Sequence, residues 1–118
     1  MARYLLERRN YFSIENKRVK PKAFMPARDL KLSVYRVEGL TDQELWEIGE
    51  NSVAQPSGRT LHGSAEILAS RVLEKDLNID PDDIPPRHAN VIGWPQEKHE
   101  QKSVAQELAA VAVLKLRP

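Results

Sequence analysis

The stretch Leu30-Lys31-Leu32-Ser33-Val34-Tyr35-Arg36-Val37-Glu38-Gly39-Leu40-Thr41-Asp42-Gln43-Glu44 changes its periodicity half-way, and that change decides the fold class. Leu30, Leu32 and Val34 fall on one side, Lys31, Ser33 and Tyr35 on the other, the period of two that marks a half-buried strand. Gly39 breaks the run. Thr41 and Glu44 then have the spacing of a capping box, in which hydroxyl and carboxylate reciprocally satisfy free backbone N–H groups at a helix start. The spacing predicts a helix to about residue 51 with Leu45 and Ile48 buried. A strand leading into a capped helix puts the chain in a mixed class.

Downstream, Gln55-Pro56-Ser57-Gly58 reads as a turn and Arg59–Gly63 as a short strand. Ser64 reads as the N-cap of a second helix over about 65–76, with Leu68, Val72, Leu73 and Leu77 at helical spacing. The run from Asp80 to Pro86 is a loop, and Ala89–Ile92 a buried strand stopped by Gly93. Pro95 fits the first turn of a last helix bearing Val104, Leu108, Val111 and Ala112. The final six residues fit a helix turn or an extended segment equally well. The expected fold is α+β: a small sheet of about three strands covered by about three helices, one domain over residues 1–118. Residues 1–28 form a basic, largely extended segment packed on it or projecting from it.

The composition, 41% apolar and 30% charged, is that of an ordinary globular protein. The absence of cysteine excludes disulfides, thiolate metal sites and a cysteine nucleophile. No apolar run has the length of a bilayer span, and Tyr4-Leu5-Leu6 is too short for a signal-peptide core, so a cytoplasmic protein with no membrane partner is expected. Five scattered glycines form neither a dinucleotide fingerprint nor a phosphate loop, and no cofactor is expected. His99 lies on a helix face without partner ligands, and Asp80, Asp82 and Asp83 lack the calcium-loop pattern, so no metal is expected either.

Charge is divided. Residues 1–36 carry ten Lys/Arg against three acids, and residues 37–118 carry eight against fourteen. Arg3, Arg8, Arg9, Lys17, Arg18, Lys20, Lys22 and Arg28 alternate with Tyr4, Tyr11, Phe12 and Phe24, a mixture suited to phosphates and stacked bases. Glu38, Asp42, Glu44, Glu47 and Glu50 form an acidic cluster. The two regions are able to pair within one chain or between two copies, which leaves a homo-oligomer open.

Ile84-Pro85-Pro86-Arg87-His88-Ala89-Asn90-Val91-Ile92-Gly93-Trp94-Pro95 holds the other candidates. Its prolines restrict the backbone around Arg87, His88 and Asn90, and Trp94 is fixed where strand meets helix. Arg87, His88, Asn90 and Trp94 form the expected partner-binding patch, while Trp46 edges the first helix. A rival arrangement brings His62 and His88 together with Arg87 as acid, base and phosphate ligand of a phosphodiester-cleaving enzyme. Leu61-His62-Gly63-Ser64-Ala65-Glu66-Ile67-Leu68, running on to Leu77–Pro81, resembles the His-Gly-Ser strand and following helix of the poly(ADP-ribose) polymerase family over about 20 residues. The resemblance implies that His62 and Ser64 bind a nicotinamide dinucleotide. No tyrosine follows position 35, and the family's catalytic glutamate has no counterpart.

The expected function is that of a small non-catalytic accessory protein engaging a protein partner within a nucleic-acid-handling assembly, with residues 1–36 available to nucleic acid. The alternative is the His62–Arg87–His88 enzyme, in phosphodiester cleavage or ADP-ribosyl-transfer-like chemistry.

Overall fold

The computed structural model describes residues 1–118. The strands are β1 (Ala2–Leu5), β2 (Phe12–Ser13), β3 (Arg18–Val19), β4 (Leu32–Tyr35), β5 (Gly63–Glu66), β6 (Asn78–Pro81), β7 (His88–Ile92) and β8 (Val113–Leu116). Six of them form one sheet in the order β6–β7–β4–β1–β5–β8, antiparallel throughout, and β2–β3 is a separate hairpin. A 3-10 turn covers Pro21–Phe24. Helix α1 (Asp42–Ile48) continues through a π-helical turn, Gly49–Ala54, into α2 (Gln55–Ser57); α3 (Ala69–Leu73) and α4 (Lys98–Val111) are separate.

The α+β class holds, with three helical segments, but the sheet has six strands rather than about three. The extra strands come from segments with weak local signals. β1 lies in the N-terminal segment expected to be largely extended, β6 overlaps the start of the loop before Ile84, and β8 lies in the ambiguous last residues. Gly63–Glu66 is the clearest reversal. Ser64 does not cap a helix; it sits in β5 between β1 and β8. Two strand partners outweigh a local capping signal, because pairing and same-face packing dominate strand energetics. A Cβ on Gly63 would come within 2.5 Å of the Lys115 carbonyl oxygen, so the β5–β8 approach needs a glycine. The helix that remains, α3, is short: Val72 is buried, but Leu68 and Leu73 are 69% and 52% exposed.

Strand alternation sorts the sheet into two faces. On the first, Leu5, Leu32, Val34, Ala65, Ala89 and Val91 meet Phe12, Val19, Ala23, Phe24, Val72 and α4's Ala105, Leu108 and Ala109 in a core of 17 buried residues. On the second, Ala2, Tyr4 and Tyr35 meet Leu45, Trp46, Ala54 and Leu61 in a smaller core of 7. This second face is covered only on its β1 side. Toward β4–β7–β6 it carries Ser33, His88, Asn90, Asp80 and Asn78, none of them buried.

The expected capping box forms: Glu44 N–H donates to Thr41 Oγ1 at 3.2 Å, and Thr41 N–H donates to Glu44 Oε1 at 3.0 Å. The Thr41 N–H, and then the Thr41 hydroxyl donating to the same Oε1 at 3.0 Å, hold the Glu44 carboxyl below its ordinary range. The helix does not stop near 51; it runs to Ser57 and ends at left-handed Gly58. Leu45 and Trp46 form its buried stripe, with Ile48 half-buried. The exposed Lys115–Asp42 and Arg117–Glu50 pairs contribute at most about 1 kcal/mol each. Full burial of a large apolar side chain contributes about 1.5–3 kcal/mol, so packing on Tyr4 and Leu61 holds the helix. Gly49 sits at that contact, and a Cβ there would come within 2.6 Å of the Tyr4 ring and 2.8 Å of Leu61. Gly49→Ala is therefore expected to destabilise the protein by about 1–3 kcal/mol, against its favourable helix propensity. Urea unfolding checks this: the midpoint falls while the slope is unchanged.

Candidate functional site

The ten N-terminal cations meet different fates. Arg3 points its guanidinium inward, donating from Nε to the Ala23 carbonyl at 3.0 Å and from Nη1 to the Ser33 carbonyl at 3.1 Å. Burial lowers its pKa. Lys20 is bound to the Arg9 carbonyl at 2.6 Å, and Arg36 pairs with Asp83. Arg8, Arg9, Lys17, Arg18, Lys22, Arg28 and Lys31 are exposed and make no ion pair. They lie on the loop after β1, the β2–β3 hairpin, the 3-10 turn and the turn into β4. The acidic cluster does not neutralise them: Asp42 pairs with Lys115, and Glu50 with Arg117 at 2.5 Å. The aromatics of the basic segment are mostly structural. Tyr4, Phe12 and Phe24 are in the cores, and only Tyr11 is half-buried.

A second constellation lies on the uncovered half of the sheet. Ser33 on β4 opposes Asn90 on β7, and His88 opposes Tyr35. His88 is thus a diagonal neighbour of Ser33 on one face, within side-chain reach. Ser33 Oγ is 2.7 Å from His88 Nε2, and His88 Nδ1 is 2.6 Å from Asp82 Oδ1. Asp82 also accepts from the Ile84 N–H at 3.2 Å and from Asn90 Nδ2 at 3.3 Å. The Tyr35 ring packs against the imidazole with centroids 5.3 Å apart and planes at 66°. The His88 hydrogen bond, then the Ile84 N–H, hold the Asp82 carboxyl below its usual range. An ionised Asp82 only accepts, so His88 Nδ1 is the donor of that bond, and in the neutral imidazole this leaves Nε2 as an acceptor for the Ser33 hydroxyl.

Beside Ser33, β1 and β4 part: a single registered pair, Ala2↔Tyr35, joins them. A cavity of about 450 Å³ lies at this split, lined by the cations Arg3, Lys22 and Lys31, the carboxylate Asp29, and Tyr11, Ser33 and Asn90 among others.

No protein-family model, curated protein or solved structure matches this chain.

The other expected sites fare differently. His62 and His88 do not meet. Strands β4 and β1 lie between β7 and β5, a separation of roughly 14 Å across the sheet alone. His62 instead packs near the Phe12 ring, centroids 6.4 Å apart. The dinucleotide roles implied for His62 and Ser64 also lose their basis, since Ser64 is fully buried. Of the partner patch, Trp94 is core: it is 5% exposed and donates from Nε1 to the Val91 carbonyl at 3.0 Å. Arg87, at a φ of +72°, donates to the Arg36 carbonyl at 3.1 Å. It is half-buried at the end of β4, while His88 and Asn90 join Ser33 and Asp82. Sequence reading had placed Ser33 on a solvent-facing strand side and Asp82 in a solvated loop; only the β4–β7 register unites them.

Two outcomes test this description. Ser64 Oγ is buried without a hydrogen-bond partner. Ser64→Ala should therefore leave stability unchanged or raise it by about 1 kcal/mol, read by urea unfolding, because a buried unsatisfied hydroxyl costs about 1–3 kcal/mol. Asp82, with its folded pKa depressed, contributes stability above the ordinary carboxylate range and loses it as pH falls through the folded value. The stability gap between wild type and Asp82→Asn should thus close as pH drops below about 4, measured by unfolding across a pH series.

Proposed function

We propose that the protein is a small accessory binding module that engages the phosphate backbone of nucleic acid through its N-terminal basic layer. The observation that carries this is the set of seven exposed, unpaired cations between Arg8 and Lys31. Internal neutralisation would have explained the charge asymmetry, but the acidic helix is paired with the C-terminal strand region instead. Burial of Tyr4, Phe12 and Phe24 removes most of the stacking platform that single-strand binders use. Recognition by phosphate contacts is sequence-independent and strongly salt-dependent. Protein-partner docking at Arg87 and Trp94 has less support, because Trp94 is buried and Arg87 is engaged with the Arg36 carbonyl.

The test is binding of labelled duplex and single-stranded oligonucleotides over a salt series, beside sedimentation of the protein alone. Contact with about three or four duplex phosphates gives a slope near −3 in log affinity against log salt. Reversing Arg8 and Arg18 to Glu should flatten that slope by about 2 and weaken binding at least tenfold at low salt. Reversing Glu47 to Lys on the opposite layer should not weaken it. Absence of binding at low salt overturns the reading. So does salt-sensitive self-association without nucleic acid binding, which would assign the basic layer to the acidic helix of a second copy.

A further inference from the structure

Ser33 has the surroundings of an activated nucleophile. Its hydroxyl oxygen is 2.7 Å from an imidazole nitrogen, and the imidazole's other nitrogen is held by a carboxylate at 2.6 Å. Three contacts fix the relay: Ile84 N–H and Asn90 Nδ2 orient Asp82, and Tyr35 packs on the His88 ring. A nucleophile bonded to a base that a third group orients is the arrangement of covalent acyl-transfer catalysis. Satisfying one strand serine needs much less, since Ser33 is only half-buried and a single hydrogen bond would serve.

The adjoining cavity specifies a substrate class. Arg3, turned into the protein, spends Nε and Nη1 on carbonyl oxygens and has no carboxylate within ion-pair distance. The side chain is half-buried, and the one carboxylate of the cavity, Asp29, is beyond ion-pair distance, so an anionic ligand would complement a charge that the protein leaves unpaired. Lys22 and Lys31 line the same cavity, as do Ser33 and Asn90. Asn90 opposes Ser33 in register and keeps one amide hydrogen beyond its bond to Asp82, a donor for the oxyanion that forms at a substrate carbonyl.

We propose that Ser33 is the nucleophile of an ester-hydrolysing site, with His88 as general base, Asp82 as its orienting carboxylate, and the Arg3 cavity holding the anionic acyl portion of the substrate. Ser33 Oγ bonds to the carbonyl carbon as its proton passes to His88 Nε2. The ester C–O bond then breaks, and His88 gives the proton to the departing alkoxide, releasing an alcohol. Water adds to the acyl-serine and yields a proton to His88, which returns it to Ser33 Oγ as the carboxylic acid leaves. Ester and water thus become acid and alcohol, with the enzyme restored.

The experiment uses the full chain with a fluorophosphonate probe, read by intact mass and peptide mapping, beside hydrolysis of p-nitrophenyl acetate and the p-nitrophenyl half-ester of succinic acid. The expected result is one adduct on Ser33, and turnover that prefers the succinyl ester on the order of tenfold. Ser33→Ala should abolish both, and Asp82→Asn, on an exposed side chain, should slow both on the order of a thousandfold. Arg3→Met should remove the preference for the anionic ester; if that variant does not fold, competition of the wild-type succinyl reaction by free succinate reads the same site. No adduct on Ser33, turnover surviving Ser33→Ala, or labelling unchanged in Asp82→Asn each overturns the proposal and leaves the relay a structural strut.

Discussion

The guanidinium of Arg3 joins the two halves of the sheet. β6, β7 and β4 form one antiparallel unit, and β1, β5 and β8 another, with one registered pair between them. Beyond Ala2↔Tyr35 the strands separate, and the backbone ladder that would have continued is replaced by a side chain. Arg3 reaches the Ser33 carbonyl across the split and the Ala23 carbonyl of the 3-10 turn above it. One residue therefore connects both sheet halves and the covering layer. Hydrogen bonds from a charged donor are worth about 1.5–3 kcal/mol each, comparable to a buried Leu, so the substitution of side chain for ladder is energetically reasonable. The split also has a chemical consequence: it opens a cavity beside Ser33 and leaves a cation inside it.

Legibility of the fold tracked how much of each element was specified locally. The strand within Leu30–Val37 and the Thr41–Glu44 box were readable because alternation and capping are short-range signals; the box formed as read, while the strand covers only Leu32–Tyr35, with Leu30 in the preceding turn and Tyr35 buried in the second core rather than facing solvent. β5 was not readable: Gly63-Ser64-Ala65-Glu66 has little strand propensity, and its conformation comes from β1 on one side and β8 on the other. β1 was obscured by Arg3, which interrupts the apolar pattern with a charge whose purpose appears only when Ser33 and Ala23 are adjacent to it. α4 begins at Lys98, not at Pro95, because the Pro95 and Gln96 carbonyls are taken by the Gln101 side chain, at 2.8 and 3.4 Å. No window on Pro95 alone contains that information.

The site was half legible for the same reason. The proline-restricted Arg87–Asn90 segment is legible as a candidate in the sequence, and His88 and Asn90 are in the relay. Their partners are Ser33, 55 residues from His88, and Asp82, in a loop that reads as solvated. Trp94 was misplaced because a tryptophan between Gly93 and Pro95 looks equally like an anchor or a core plug; its indole N–H finding the Val91 carbonyl decides for the core. The paired-histidine arrangement failed on strand order, which propensity does not encode.

Placing the acidic helix and the basic layer on opposite sides of one sheet explains how a chain of net charge +1 keeps two strongly charged surfaces. The shortest dimension of the molecule is 26 Å. The screening length at physiological ionic strength is about 8 Å, so charges on the two outer layers act almost independently. A polyanion approaching the hairpin side meets Arg8, Arg18 and Lys22 and little of the repulsion from Glu44 and Glu47. Net charge and isoelectric point average over this separation and understate what either surface does. The sheet is thus an electrostatic spacer as well as a scaffold, and its uncovered β4–β7 half, between the two charged layers, is where the polar relay remains within reach of a small anionic molecule.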